Sequence, residues 1–184
     1  MLLDVLLADL ERQYSYNGQP QKKATVPGLL ANAFYPRFVP IVLCRIAHAL
    51  YRKRMGPLAR LFSLLNFVVF GIEIGIRCEI GPGLYFPHTV GTVIGATRIG
   101  CNAVIYHGVT LGAKEMDIAY NLNQRPTVGD NVVIGSGAKL LGGIKIGNNV
   151  KIGANAVVLD SFPDNVVIAG IPATVVRKLE TISV

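Results

Sequence analysis

Between Val128 and Val158 an apolar residue returns every six positions: Val128, Ile134, Leu140, Ile146, Ile152 and Val158. Four of these are followed directly by glycine, at Gly129, Gly135, Gly147 and Gly153. A period of six suits neither a helix face at 3.6 residues nor the two-residue alternation of an ordinary strand. It suits a chain that lays down a short strand, turns a corner and repeats. The apolar residue of each hexad then points into a narrow prism, and small or flexible residues turn the corners. The expected fold is mainly β, a parallel β-helix of hexapeptide repeats.

The same count sets the organisation of the chain. An earlier series, Ile74, Ile80 and Phe86, is followed by one extra residue that moves the frame to Val93, Ile99, Ile105 and Leu111. The repeat domain is therefore expected over 73–184, with its hexads running to about Val167. Residues 113–127 leave the pattern as an excursion, and a rigid prism that releases such a loop usually has a functional reason. The tail from Ile168 to Ala173 leaves the prism and ends in the basic pair Arg177 and Lys178. Residues 1–72 read as helical. An amphipathic helix is expected at 2–14, a polar linker at 15–27, and a helix at 37–55 with the stripe Arg45, His48 and Arg52. Gly56 and Pro57 break it, and a largely apolar helix at 58–70 stops at Gly71.

The net charge of +7 is unevenly placed. Residues 1–70 carry nine Lys/Arg against three Asp/Glu, and residues 71–184 carry nine against eight. No nucleic-acid motif or aromatic platform accompanies the basic excess, so no nucleic-acid partner is expected. Arg45, Arg52, Lys53, Arg54 and Arg60 suit a peripheral contact with anionic lipid headgroups, or simply solvent around helices packed between subunits. Cys44, Cys78 and Cys101 have no paired spacing, which suggests buried thiols in a reducing cytoplasm. The start carries an early acid and no basic region, unlike a signal peptide. The apolar stretch from Leu61 to Ile76 contains Asn66 and Glu73 and is shorter than a bilayer span.

Three hexads make one coil, so His88 and His107, nineteen residues apart, fall one coil plus the inserted residue from each other. Each is the second residue after an inward apolar one, Phe86 or Ile105, so the two should stack at one corner beside the excursion. Neutral imidazole suits removal of a hydroxyl proton as the oxygen attacks a carbonyl. A carboxylate that orients the ring helps such a base, and Glu73 is the nearest candidate. Its position in an apolar run suggests a partner, because burying it alone is costly. A metal site would need a third ligand. The remaining histidine, His48, lies outside the prism, so no metal is expected.

The segment Pro82-Gly83-Leu84-Tyr85-Phe86-Pro87-His88-Thr89-Val90-Gly91 resembles the catalytic-histidine segment of serine O-acetyltransferases. Tyr106-His107-Gly108-Val109-Thr110-Leu111-Gly112, the excursion, and Val128 to Val158 resemble the rest of that family's repeats. Cys44 to His48 is similar to its last N-terminal helix. The resemblance implies a left-handed β-helix, a homotrimer and an acetyl-CoA-dependent O-acetyltransferase. It matches His88 to the general base and Glu73 to the orienting carboxylate, which is typically Asp in the family. It implies CoA held at corners formed by Ser136, Gly137, Ala138, Ala154 and Asn155, with its phosphates met by Arg177 and Lys178. His107 would bind the acceptor or polarise the thioester, and Gly108 or Arg125 would serve the oxyanion or the acceptor. Two departures bear on the acceptor. Pro87 stands where serine enzymes carry an acid, and Gln124-Arg125-Pro126 stands where they carry an Arg-His pair. These changes, with the short helical region, resemble the polysaccharide and capsule branch. The expected acceptor is therefore a sugar hydroxyl, small or lipid-linked, with L-serine as the alternative.

Overall fold

The computed structural model describes residues 2–32, 34–117 and 119–180. Three parallel sheets form the walls of a prism. The first stacks β1 (Ile72–Ile74), β3 (Thr92–Ile94), β6 (Thr110–Gly112), β9 (Lys139–Leu141) and β12 (Val157–Val158). The second stacks β2 (Glu79–Ile80), β4 (Arg98–Ile99), β7 (Thr127–Val128) and β10 (Lys145–Ile146). The third stacks β5 (Val104–Ile105), β8 (Val133–Ile134), β11 (Lys151–Ile152) and β13 (Val166–Gly170), and β14 (Ala173–Lys178) closes its edge antiparallel to β13. Pairing the tail this way covers a row of backbone groups that would otherwise invite another strand.

The hexad residues fill the prism, with one change of phase. Val93 is 38% exposed and points outward, whereas Ile94 is 1% exposed and stacks between Ile74 and Leu111. The turn after Phe86 therefore gains two residues, and the next side of the coil loses one. The net slip of one residue survives, but its position does not follow from counting. Likewise Val166 and Ile168, not Val167, are the inward residues of β13.

The glycine of each hexad has a packing reason. A Cβ on Gly100 would lie 2.6 Å from the carbonyl carbon of Gly129 in the next coil, and one on Gly129 would lie 2.8 Å from that of Gly147. Side chains there would push the coils apart. The left-handed turn falls two residues later, to Asn102, Asn131, Asn149 and Asn155, all with φ between 54° and 58°. Asn tolerates this backbone best among residues with a side chain.

Among the described residues four helices precede the prism: α1 (Leu2–Tyr16), α2 (Val26–Asn32), α3 (Val39–Arg52) and α4 (Gly56–Phe70). The short α2 lies partly inside the span expected to be linker. Gly71 ends α4 in the left-handed conformation, φ 62°. Among the described residues, no helix is long and apolar enough to cross a membrane. Arg45 is 5% exposed, so it cannot face lipid or solvent as the helical stripe suggested. It forms a bidentate pair with the fully buried Asp9 (2.8 and 3.0 Å) and donates to the carbonyls of Ile80 (2.6 Å) and Gly81 (2.7 Å). Asp9 also accepts from the Leu84 N–H at 2.8 Å. This cluster joins α1, α3 and the first coil.

His48 packs beside the cluster, with Nε2 3.4 Å from the Gly75 carbonyl oxygen. Burial, reinforced by Arg45 and Arg52 and opposed by that carbonyl, pushes its pKa down from 6.5 to about 4. The folded state therefore binds a proton less readily than the unfolded chain. The stabilisation is present above pH 6.5 and is lost as the pH falls towards 4, in total ~3 kcal/mol. Denaturant midpoints should drop across that window, and His48→Gln should flatten the drop. Equal slopes in the two proteins would refute the assignment.

Candidate active site

The corner between the third and first sheets carries both stacked histidines. Their rings meet edge to face with centroids 5.6 Å apart, and both side chains are exposed. The turn bearing His88 is fastened to the end of α4. Thr89 Oγ1 donates to the Phe70 carbonyl (2.9 Å) and the Gly91 N–H to the Gly71 carbonyl (2.9 Å). Glu73 follows two residues later on β1, so the base and the carboxylate are held by one junction. Glu73 is exposed on the outer face of β1, not buried in an apolar run as expected, which removes the need for a partner. Among the described residues no hydrogen bond joins it to His88.

The same corner in later coils presents Ser136 and Ala154, each the second residue after an inward isoleucine. Beside them Gly91, Gly108, Gly137 and Asn155 all take positive φ, from 56° to 72°. Small side chains thus leave a shallow track running along the prism from His88. Ser136, Gly137, Ala154 and Asn155 lie along it. Ala138 does not belong to it. Its methyl is fully buried, its N–H bonds Gly135 and its carbonyl bonds Thr110, so nothing remains for a ligand.

Three further expectations meet a different geometry within the chain. The excursion folds over the opposite corner of the first sheet, away from the histidines. Its Arg125 is 11% exposed and bonded through each nitrogen: Nε (3.1 Å) and Nη2 (2.9 Å) on Asp117, and Nη1 (3.1 Å) on the Gly95 carbonyl. The guanidinium also stacks 3.7 Å from the Tyr120 ring centre, and the Asp117 carboxyl is held below its usual pKa by the Asn121 N–H and by Arg125. Arg125 is thus an anchor of the loop in this chain, held at the corner away from the histidines. The Gly108 N–H is also committed, donating to the Val90 carbonyl at 3.1 Å. Arg177 and Lys178 pair with Val167 and Val166 at the start of β13, across the third sheet from the histidine corner.

Sequence reasoning missed Lys139. It stands on β9 in register with Thr110 of β6, and its ammonium donates back one coil to the carbonyl of Gly108, next to His107. The signal was available, because Lys139 precedes the inward Leu140 as Glu73 precedes the inward Ile74. Both therefore project from the outer face of the first sheet.

The family described as "Bacterial transferase hexapeptide (six repeats)" matches residues 125–160. A serine acetyltransferase of Helicobacter pylori is 43% identical over 145 residues, covering 78% of this chain and 83% of the relative. One from Synechococcus elongatus is 42% identical over 152 residues, covering 82% of this chain and 61% of the relative. This chain therefore spans about three fifths of the cyanobacterial protein. Among solved structures, the serine acetyltransferase of Neisseria gonorrhoeae superposes with a TM-score of 0.84 at 33% identity, covering 98% of this chain and 67% of that one. A serine acetyltransferase in complex with CoA gives 0.80 at 32% identity, covering 95% and 69%. The fold is thus the left-handed β-helix of these enzymes. These relatives do not support a placement nearest the polysaccharide branch; they point to serine acetyltransferases.

Proposed function

This chain belongs to the serine acetyltransferase family, and from that premise we propose that it transfers acetyl from acetyl-CoA to a hydroxyl, with L-serine as the first acceptor. The observation that carries the chemistry is the exposed His88–His107 pair at the head of a track of small residues. His88 takes the hydroxyl proton as the oxygen attacks the thioester carbonyl. Glu73, fixed to the same junction, turns to the other ring nitrogen and stabilises the imidazolium. The tetrahedral intermediate then expels the CoA thiolate, which takes the proton back from His88. CoA lies along Ser136, Gly137, Ala154 and Asn155. The chain works as a homotrimer in the cytoplasm, and Arg177, Lys178 and the excursion of one prism face the cleft of its neighbour. Arg52, Lys53, Arg54 and Arg60 remain exposed for a peripheral membrane contact.

A sugar hydroxyl is the second reading, and a specific observation favours it. Pro87 offers no carboxylate for an ammonium, and Arg125 is tied to Asp117. Parallel kcat/KM measurements with L-serine and with neutral monosaccharides separate the two. L-serine is expected to lead by at least about tenfold, roughly the net worth of one hydrogen bond. A sugar that leads by that margin overturns the choice of acceptor.

A further inference from the structure

We propose that Lys139 is the cation that stabilises the oxyanion, an inference that rests on the acetyl-transfer reading of this corner. The reaction places a full negative charge on the former carbonyl oxygen, and a site without an aimed donor loses much of its rate. The two groups best placed by sequence are not aimed at the histidine corner of their own chain. The Gly108 N–H is bonded to Val90, and every nitrogen of the Arg125 guanidinium is engaged on the far corner.

Lys139 differs from both. Its stem lies on the first sheet between Thr110 and Val157, and its ammonium is drawn back to the Gly108 carbonyl. That carbonyl belongs to the residue after His107, whose ring is 5.6 Å from that of His88. An ammonium has three N–H donors, and the Gly108 carbonyl takes one of them. Lys139 is only partly exposed, and no carboxylate lies within ion-pair distance of it among the described residues. An ammonium without a carboxylate partner is left to meet an anion that arrives. Here the anion forms during turnover. As the hydroxyl oxygen bonds to the thioester carbon, the carbonyl π pair moves onto oxygen beside Lys139 while the proton goes to His88. Collapse returns that pair, breaks the C–S bond and sends the proton to the departing thiolate.

The test uses the full chain and two readouts. Lys139→Met should lower kcat about 10²-fold or more, the scale for losing one oxyanion donor, while the Kd for CoA stays within about threefold. Lys139→Arg should recover part of the loss, because it keeps the charge. The second readout needs no acceptor: infrared difference spectra of bound acetyl-CoA, labelled with ¹³C at the acetyl carbonyl. Its carbonyl stretch should move to lower frequency in the native chain and return towards the solution value in Lys139→Met. If neither L-serine nor sugars are acetylated, the choice of acceptor fails, and the infrared shift still decides for or against Lys139. A variant with weakened CoA binding but unchanged kcat and carbonyl frequency would make Lys139 a CoA contact and overturn the proposal.

Discussion

Replacing His88 with alanine lowers kcat by about 10²- to 10⁴-fold while the Kd for CoA changes by no more than a few-fold. The size follows from its role. A hydroxyl is a poor nucleophile until a base takes its proton in the transition state, and imidazole titrates where that exchange works at neutral pH. CoA binding survives because the track is built from other coils, at Ser136, Gly137, Ala154 and Asn155, whose backbones are fixed by interstrand hydrogen bonds rather than by His88. The turn survives as well, since Thr89 and Gly91 hold it to Phe70 and Gly71 independently of the ring. His107→Ala should cost less than His88→Ala, because it supports the acceptor or the thioester rather than the proton transfer. Single-turnover acetyl transfer with each variant, beside calorimetric CoA titration, gives both numbers. Unchanged turnover in His88→Ala would remove the base from the account.

Asp9→Ala is expected to destabilise the fold by about 3–5 kcal/mol, the range found when one partner of a buried ion pair is removed. The loss exceeds a single contact. Arg45 keeps its charge at 5% exposure with only the Ile80 and Gly81 carbonyls to meet it, and the Leu84 N–H loses its acceptor. Because these groups join α1 and α3 to the first coil, the damage should reach the turn that carries His88. Guanidinium unfolding measured on Asp9→Ala, and on a double replacement of Asp9 and Arg45 by leucine and methionine, tests the reasoning. The double variant should be the more stable of the two, since it leaves no unpaired charge. A single variant within 1 kcal/mol of the native chain would show that the pair is not what fastens the helices.

The prism was legible because its period follows from geometry: an inward side chain is needed once per wall. The histidine column was legible for the same reason. Counting could not divide the slip after Phe86. Val93 and Ile94 are both β-branched and apolar, and only the ladder shows that Ile94 faces inward. Arg45 read as part of a solvated stripe because its partner, Asp9, lies 36 residues away, beyond any local pattern. Arg125 and the excursion were misplaced because the loop's course depends on Tyr120 stacking and on Asp117, neither of which has a periodic signature. The acceptor was the least legible feature. Pro87 shows what the site lacks, whereas the relatives show which enzymes share its frame.

The central claim is acetyl transfer from acetyl-CoA to a hydroxyl at the His88 corner, with serine as acceptor. Its most direct test is to incubate the chain with acetyl-CoA labelled in the acetyl group, L-serine and a neutral sugar together, and to identify the labelled product by mass spectrometry. The account predicts label on the serine hydroxyl, in step with release of free CoA thiol and absent in His88→Ala. No acetyl label on any hydroxyl, with acetyl-CoA left intact, would contradict it.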